Sequence, residues 1–101
     1  MIVIRNVFRL KFGKAREAIA LMKEGRAIEK RVMSGLEYSS RVLTDVTGPF
    51  YTLVLELTVQ NLATFESSAP RLFGDQEWQA HYRKMEALVE SGYREVFSIV
   101  E

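Results

Sequence analysis

Residues 50–59 have the sequence FYTLVLELTV, and this stretch decides the fold. Its residues alternate, and the five that share one side are all apolar or aromatic: Tyr51, Leu53, Leu55, Leu57 and Val59. The other side carries Phe50 and Val54 among two threonines and Glu56. A period of two, without glycine or proline inside, predicts a β-strand. Because both sides carry large apolar residues, we expect a central strand that is covered on both faces.

The chain has 101 residues and the composition of a globular protein, with 48% hydrophobic and 27% charged residues. Its length predicts a single domain spanning residues 1–101. A net charge of +1 gives no electrostatic basis for a nucleic-acid partner. No apolar run is long enough for a membrane span. The start of the chain lacks the pattern of a signal peptide, so a cytoplasmic protein is expected.

Further elements flank the central stretch on both sides. Alternation predicts strands at residues 2–11, 36–43 and 93–100. Helical spacing predicts a helix at 14–32, a short helix at 62–69 that Pro70 stops, and a helix from Asp75 that Ser91-Gly92 ends. In the first helix Gly25 lies on the apolar stripe, which suggests a close approach to the sheet. Glu29 is assigned to the outward, charged face.

The order strand, helix, strand, strand, helix, strand predicts an α+β fold of the ferredoxin-like βαββαβ type. Such a chain forms a four-stranded antiparallel sheet with its helices on one face. The other face would be bare, and its predicted apolar residues are Val3, Val7, Phe50 and Val54. Because a bare apolar face usually marks an interface, we expect an obligate or near-obligate homodimer through it.

Three short segments resemble a known group of proteins: Phe12-Gly13-Lys14, Gly48-Pro49-Phe50, and residues 75–79 with the sequence DQEWQ. The first two are similar to turns of the dimeric α+β barrel superfamily, and the third is similar to NIPSNAP-type domains. The resemblance implies that two ferredoxin-like subunits pair their sheets into one barrel. It also implies either an uncharacterised NIPSNAP-like protein or an enzyme, because the superfamily includes oxygenases.

Candidate site residues come from the same resemblance. Haem-degrading and cofactor-independent monooxygenases of this fold have a pocket between sheet and helices, which in the haem-degrading group is lined by an Asn, a Trp and a His. The matching residues here are Asn6, Trp78 and His81, and the spacing of Trp78 departs from the pattern. Alternation and helical spacing place all three facing the space between sheet and helices. Additional candidates for ligand binding are Tyr38, Arg41 and Tyr82.

Two functions remain open at this point. The first is a dimeric protein that binds a small apolar ligand or a protein partner, in which case Asn6 and His81 are structural. The second is a monooxygenase acting on an aromatic or haem-like compound. The cofactor is unknown, and haem is implied only by the second function. One histidine and no cysteine make a zinc site improbable, so no metal is predicted. An open cavity shared by Asn6, Trp78 and His81 would favour the enzyme.

Overall fold

The computed structural model describes residues 1–101. In chain order the elements are β1 (Ile2–Leu10), α1 (Ala15–Val32), β2 (Tyr38–Thr44), β3 (Thr52–Val59), α2 (Leu62–Phe73), α3 (Gln76–Glu86) and β4 (Val89–Ser98). The strands form one antiparallel sheet in the order β2-β3-β1-β4. The predicted ferredoxin-like α+β fold is therefore confirmed. No helix of the chain has both the length and the apolar character that crossing a membrane requires.

The central strand begins two residues later than alternation suggests. Residues 45–51 form a turn in which Tyr51 has a left-handed backbone with φ of 61°. The Thr52 amide donates to Asp45 Oδ1 at 3.0 Å, and the Thr52 hydroxyl donates to the Pro49 carbonyl at 2.8 Å. These bonds fix the turn, so Phe50 stands outside the strand and is 72% exposed. Phe50 therefore does not belong to the row of apolar residues predicted on the open face.

Helix α2 does not stop before Pro70, contrary to the sequence prediction. Its start is as expected, since Asn61 Oδ1 accepts a hydrogen bond from the Thr64 amide at 2.8 Å. The helix then runs through Pro70 to Phe73, and the Gly74 amide donates to the Pro70 carbonyl at 2.9 Å. Proline has a helical φ, and its cost inside a helix is one lost hydrogen bond and crowding against the carbonyl four residues earlier. The extra turn brings Leu72 to the space between sheet and helices.

The last helix is shorter than predicted and the last strand longer. Helix α3 ends at Glu86, and Ser91-Gly92 lies inside β4. Gly92 is opposite Phe8 in the register of β1 and β4. A Cβ at position 92 would lie 3.2 Å from both Phe8 Cδ1 and the Val7 carbonyl oxygen. The glycine thus permits close packing of the Phe8 ring within the sheet and does not end a helix.

The hydrophobic core occupies one end of the space between sheet and helices. It consists of seven buried residues: Leu10, Ala18, Met22, Leu53, Leu55, Met85 and Leu88. Only 16 of the 101 residues are buried, which is few for a domain of this size. The core therefore does not fill the whole width of the sheet, and the part beneath α2 is left for a cavity.

The open face of the sheet carries a row of alternating charges. Directly paired residues share a face, and the row crosses all four strands as Arg41, Glu56, Arg5 and Glu95. Glu56 Oε1 accepts from Arg41 Nε at 2.7 Å, and its Oε2 lies 3.6 Å from Arg5 Nε. Glu56 therefore pairs with arginines of its own chain.

The apolar residues predicted on this open face are less exposed to solvent than expected. Val7 and Val54 are only 8% and 6% exposed in the single chain. Val3 is half-buried. The exposed apolar residues of the face are on β4: Tyr93 is opposite Val7 and 62% exposed, and Phe97 is opposite Val3 and 48% exposed. The apolar surface thus lies toward the β4 edge.

Candidate functional site

A cavity of about 800 Å³ lies between the helix-facing side of the sheet and the helices, and it opens to solvent. Its walls are mostly hydrophobic and come from all four strands and all three helices. Helix α2 forms one wall through Thr64, Phe65, Ser68 and Leu72. The volume is within the range of small-molecule sites, which also are mostly apolar with a few polar groups.

The structure brings five of the six sequence-predicted residues to this cavity. Asn6, Trp78 and His81 line it together, as do Tyr38 and Tyr82. Arg41 does not line it, because its side chain lies on the opposite face of the sheet and is bound to Glu56. Position 41 is on the odd-numbered side of β2, whereas Tyr38 is on the even-numbered, helix-facing side.

Asn6 has a partner that the sequence analysis did not name. Its Oδ1 accepts a hydrogen bond from Arg94 Nε at 2.7 Å, and the two residues are directly opposite in β1 and β4. The Arg94 guanidinium carbon also lies 5.3 Å from the centre of the Phe65 ring, a cation–π distance. Asn6 and Phe65 therefore hold Arg94 at the cavity wall.

His81 of α3 packs its ring against α1. A Cβ at Gly25 would fall nearest to His81 Nε2, so this edge of the ring faces the backbone of α1. The close approach at Gly25 is therefore to α3 and not to the sheet. His81 Nδ1 is buried without a hydrogen-bond partner. Burial lowers the pKa of His81 below its ordinary value of 6.5; Lys84 lowers it further and Glu24 opposes both. The ring is therefore neutral at neutral pH.

We expect Gly25→Ala to destabilise the protein, although alanine is normally the better helix former by roughly 1 kcal/mol. The added methyl group would overlap the imidazole of His81, and overpacking of this kind costs about 1–3 kcal/mol. The measurement is urea denaturation of Gly25→Ala, His81→Ala and the double variant. In the double variant the added methyl group has room, so Gly25→Ala should become neutral or stabilising. A penalty of equal size in both backgrounds would contradict the contact.

The start of α3 is fixed by a network at Asp75. Asp75 Oδ1 accepts from the Trp78 amide at 3.0 Å, which caps the helix. Arg31 Nη2 of α1 lies 3.0 Å from the same carboxylate oxygen, and this hydrogen bond lowers the pKa of Asp75. The network orients the helix that carries Trp78, whose Nε1 is buried without a partner. The Trp78 and His81 rings are 5.4 Å apart between centres.

Glu29 is a site residue that the sequence analysis missed. It was assigned to the outward face of α1, yet it is only 3% exposed and lines the cavity. The signal was present in the spacing, since Ala18, Met22, Gly25 and Glu29 are separated by four, three and four residues and share one helix face. Burial is the main cause that raises the pKa of Glu29, and it outweighs the opposing effects of nearby hydroxyls and of Arg26 and Lys30.

Tyr38 of β2 is the polar neighbour of Glu29. Burial and the charge of Glu29 raise the pKa of Tyr38 to about 12. Neither the Tyr38 hydroxyl nor Glu29 Oε1 has a hydrogen-bond partner of good geometry, and both atoms are buried. The two groups form a polar corner in a cavity that is otherwise mostly apolar.

The structure shows neither a group of metal ligands nor a histidine that is free to bind a haem iron. No group of three or more His, Cys, Asp or Glu side chains is placed to hold a metal ion. A haem iron needs an axial ligand, and the Nε2 edge of the one histidine faces α1 while its Nδ1 is buried. We therefore derive no chemistry through haem.

No protein-family model matches the chain, and no curated protein matches it. Several solved structures share its fold. A NIPSNAP family protein from Agrobacterium tumefaciens is 24% identical with a TM-score of 0.83, over 96% of this chain and 90% of that one. An uncharacterised NIPSNAP domain protein from Burkholderia xenovorans is 20% identical with a TM-score of 0.86, over 99% and 95%. The expected NIPSNAP-like fold is confirmed.

An oxygenase has the same fold at lower similarity. A variant of SnoaB, a cofactor-independent oxygenase from Streptomyces nogalater, is 14% identical with a TM-score of 0.73, over 99% of this chain and 93% of that one. At these identities the likeness concerns the fold, and one fold carries many functions. Function has to be argued from the cavity.

Proposed function

We propose that the protein binds a small, mostly apolar molecule in the cavity between sheet and helices. One observation carries this proposal. Of the five buried side-chain polar atoms without a hydrogen-bond partner, four belong to residues that line the cavity: Glu29 Oε1, Tyr38 OH, Trp78 Nε1 and His81 Nδ1. Leaving such a group unpaired costs about 1–3 kcal/mol, and a ligand that pairs with some of them recovers part of this free energy.

Trp78 gives a direct test, because it is the only tryptophan in the chain and lines the cavity. Its emission should change on titration with apolar alcohols that do not absorb where tryptophan does, such as cyclododecanol. The same compounds should raise the melting temperature, since they bind only the folded chain. Ala69→Phe would fill the cavity and should remove both effects, whereas Ala63→Phe, on the exposed side of α2, should keep them. Unchanged emission and melting temperature across aliphatic and aromatic compounds would refute binding.

A second candidate is oxygenase activity on the bound molecule. It is supported by the convergence of Asn6, Trp78 and His81 on one cavity open to solvent, and by the shared fold with a cofactor-independent oxygenase. The test is oxygen uptake with a dihydroxyanthrone, whose methylene group and one O₂ give a carbonyl group and one water. Turnover that Ala69→Phe abolishes and Ala63→Phe retains would support it. Oxygen uptake equal to that without protein would rule out the oxygenase activity and leave ligand binding as the proposed function.

We also propose that the protein works as a homodimer through the open face of the sheet. The charge row supports this, because its order of Arg41, Glu56, Arg5 and Glu95 reads plus, minus, plus, minus. A second copy, turned about an axis parallel to the strands, sets each arginine against a glutamate. Phe97 adds exposed apolar area beside the row. A cytoplasmic location stays a prediction.

Phe97→Asp tests the dimer without disturbing the core. Phe97 is half exposed in the single chain, so a carboxylate there should change the stability of a monomer little. In the dimer it would be buried without a partner, and dissociation at micromolar concentration is expected in sedimentation velocity. The control is Phe12→Asp, at an exposed position in the turn after β1. A parent that sediments as a monomer, or a Phe97→Asp dimer as tight as the parent, would rule out this interface.

A further inference from the structure

Two of the unpartnered atoms, Glu29 Oε1 and the Tyr38 hydroxyl oxygen, lie close to each other. The Glu29 carboxyl and the Tyr38 hydroxyl are close enough that the charge of Glu29 contributes to the raised pKa of Tyr38. Glu29 is only 3% exposed, and it comes from α1, while Tyr38 comes from edge strand β2. They line the cavity with the apolar side chains of Met33 and Leu36. A carboxyl group at such a position has no evident role in packing.

We propose that Glu29 and Tyr38 bind a hydroxyl group at one end of the cavity's apolar ligand, so that the protein selects an alcohol or a phenol. This inference rests on the proposed binding function and names the chemical class of its ligand. The hydroxyl would donate to Glu29 Oε1 and accept from the Tyr38 hydroxyl. Both buried groups would then be paired by one ligand atom.

The donor and acceptor capacity of the two residues favours a hydroxyl over groups that only donate or only accept. An ionised carboxylate only accepts hydrogen bonds, whereas a tyrosine hydroxyl has one proton to donate. An ammonium group only donates, so it would leave the Tyr38 proton without an acceptor. An ether or ketone only accepts, so it would leave Glu29 Oε1 unpaired. A carboxylate would place a second negative charge beside Glu29. Only a group that both donates and accepts pairs with both residues.

Arg94, another charged residue that lines the cavity, makes a competing prediction. Arg94 is held by Asn6 and Phe65, and its guanidinium has further N–H groups to offer to an anion. Arg94 is exposed, so its free N–H groups are available to water at little cost. Glu29 is buried, so leaving its oxygen unpaired costs more free energy than leaving the N–H groups of Arg94 without a ligand. The affinity for a ligand with a carboxylate group distinguishes recognition by Arg94 from recognition by Glu29 and Tyr38.

The experiment compares three compounds of one shape by Trp78 emission: cyclododecanol, its methyl ether and cyclododecanecarboxylate. The alcohol should bind about tenfold more tightly than the ether, the value of one added hydrogen bond to a buried group. Tyr38→Phe should weaken the binding of alcohol and ether alike. Glu29→Met should weaken the alcohol alone, which makes its affinity equal to that of the ether. Glu17→Met and Tyr51→Phe are the matched controls, because neither residue lines this cavity.

The outcomes separate this inference from the proposed function. If none of the three compounds binds, cavity binding itself fails. If alcohol and ether bind equally to the parent, or if the preference survives in Glu29→Met, the polar corner does not recognise a hydroxyl and only the inference is overturned. If the carboxylate binds most tightly, Arg94 determines the ligand class and the inference is likewise overturned.

Discussion

Val54→Asp is expected to lower the free energy of unfolding by about 3–5 kcal/mol, the cost of an unpaired buried charge. Val54 is in the middle of the sheet, opposite Val7 in β1 and Leu43 in β2, and is 6% exposed. The nearby Arg5 is already engaged with Glu56, so the new carboxylate has no free partner. Urea denaturation measures the loss, and sedimentation velocity follows the proposed dimer, which should dissociate as well.

Two controls separate the charge from the change of shape. Val46→Asp makes the same chemical change at a position in the turn that is 96% exposed, and it should be close to neutral. Val54→Thr keeps the shape without a charge and should cost less than Val54→Asp. If Val54→Asp is as stable and as dimeric as the parent, the open face is neither packed as described nor an interface.

Glu29→Met is expected to stabilise the protein, by on the order of 1–3 kcal/mol at neutral pH. The substitution replaces a buried carboxyl, whose Oε1 has no hydrogen-bond partner, with an apolar side chain of similar length, which removes the desolvation cost. Residues that bind a ligand often lower the stability of the folded protein. Selection removes only variants whose stability falls below the threshold needed for function. The measurement is thermal and urea unfolding, with Glu17→Met on the exposed face of the same helix as control.

The raised pKa of Glu29 predicts how the stabilisation by Glu29→Met changes with pH. Burial raises the pKa of Glu29 above 4.5 in the folded chain, so the folded chain holds this proton to higher pH than the unfolded chain does. The stability contributed by the protonated carboxyl is complete below pH 4.5 and is lost as the pH rises through the folded-state pKa. The advantage of Glu29→Met should therefore grow over this range. An advantage that is constant with pH, or a destabilised variant, would show that the carboxyl is paired.

Several features of the site were accessible from the sequence. Alternation in β1 placed Asn6 toward the helices, and helical spacing placed Trp78 and His81 on the inner face of α3, where all three reach one cavity. Glu29 was equally accessible from its spacing to Met22 and Gly25. It was missed because a glutamate among lysines and arginines is usually a surface residue.

The sequence by itself determined the order of elements and the inner and outer sides of β1 and β3. The reason is that side-chain direction follows from a local period of two or 3.6 residues. Only the tertiary structure decided that α2 continues through Pro70, that Gly92 lies in a strand and that Gly25 makes room for His81. The last two depend on a neighbour distant in the chain, which is Phe8 for Gly92 and His81 of α3 for Gly25 of α1. The cavity is likewise a tertiary property, because it is the space that the core residues leave unfilled.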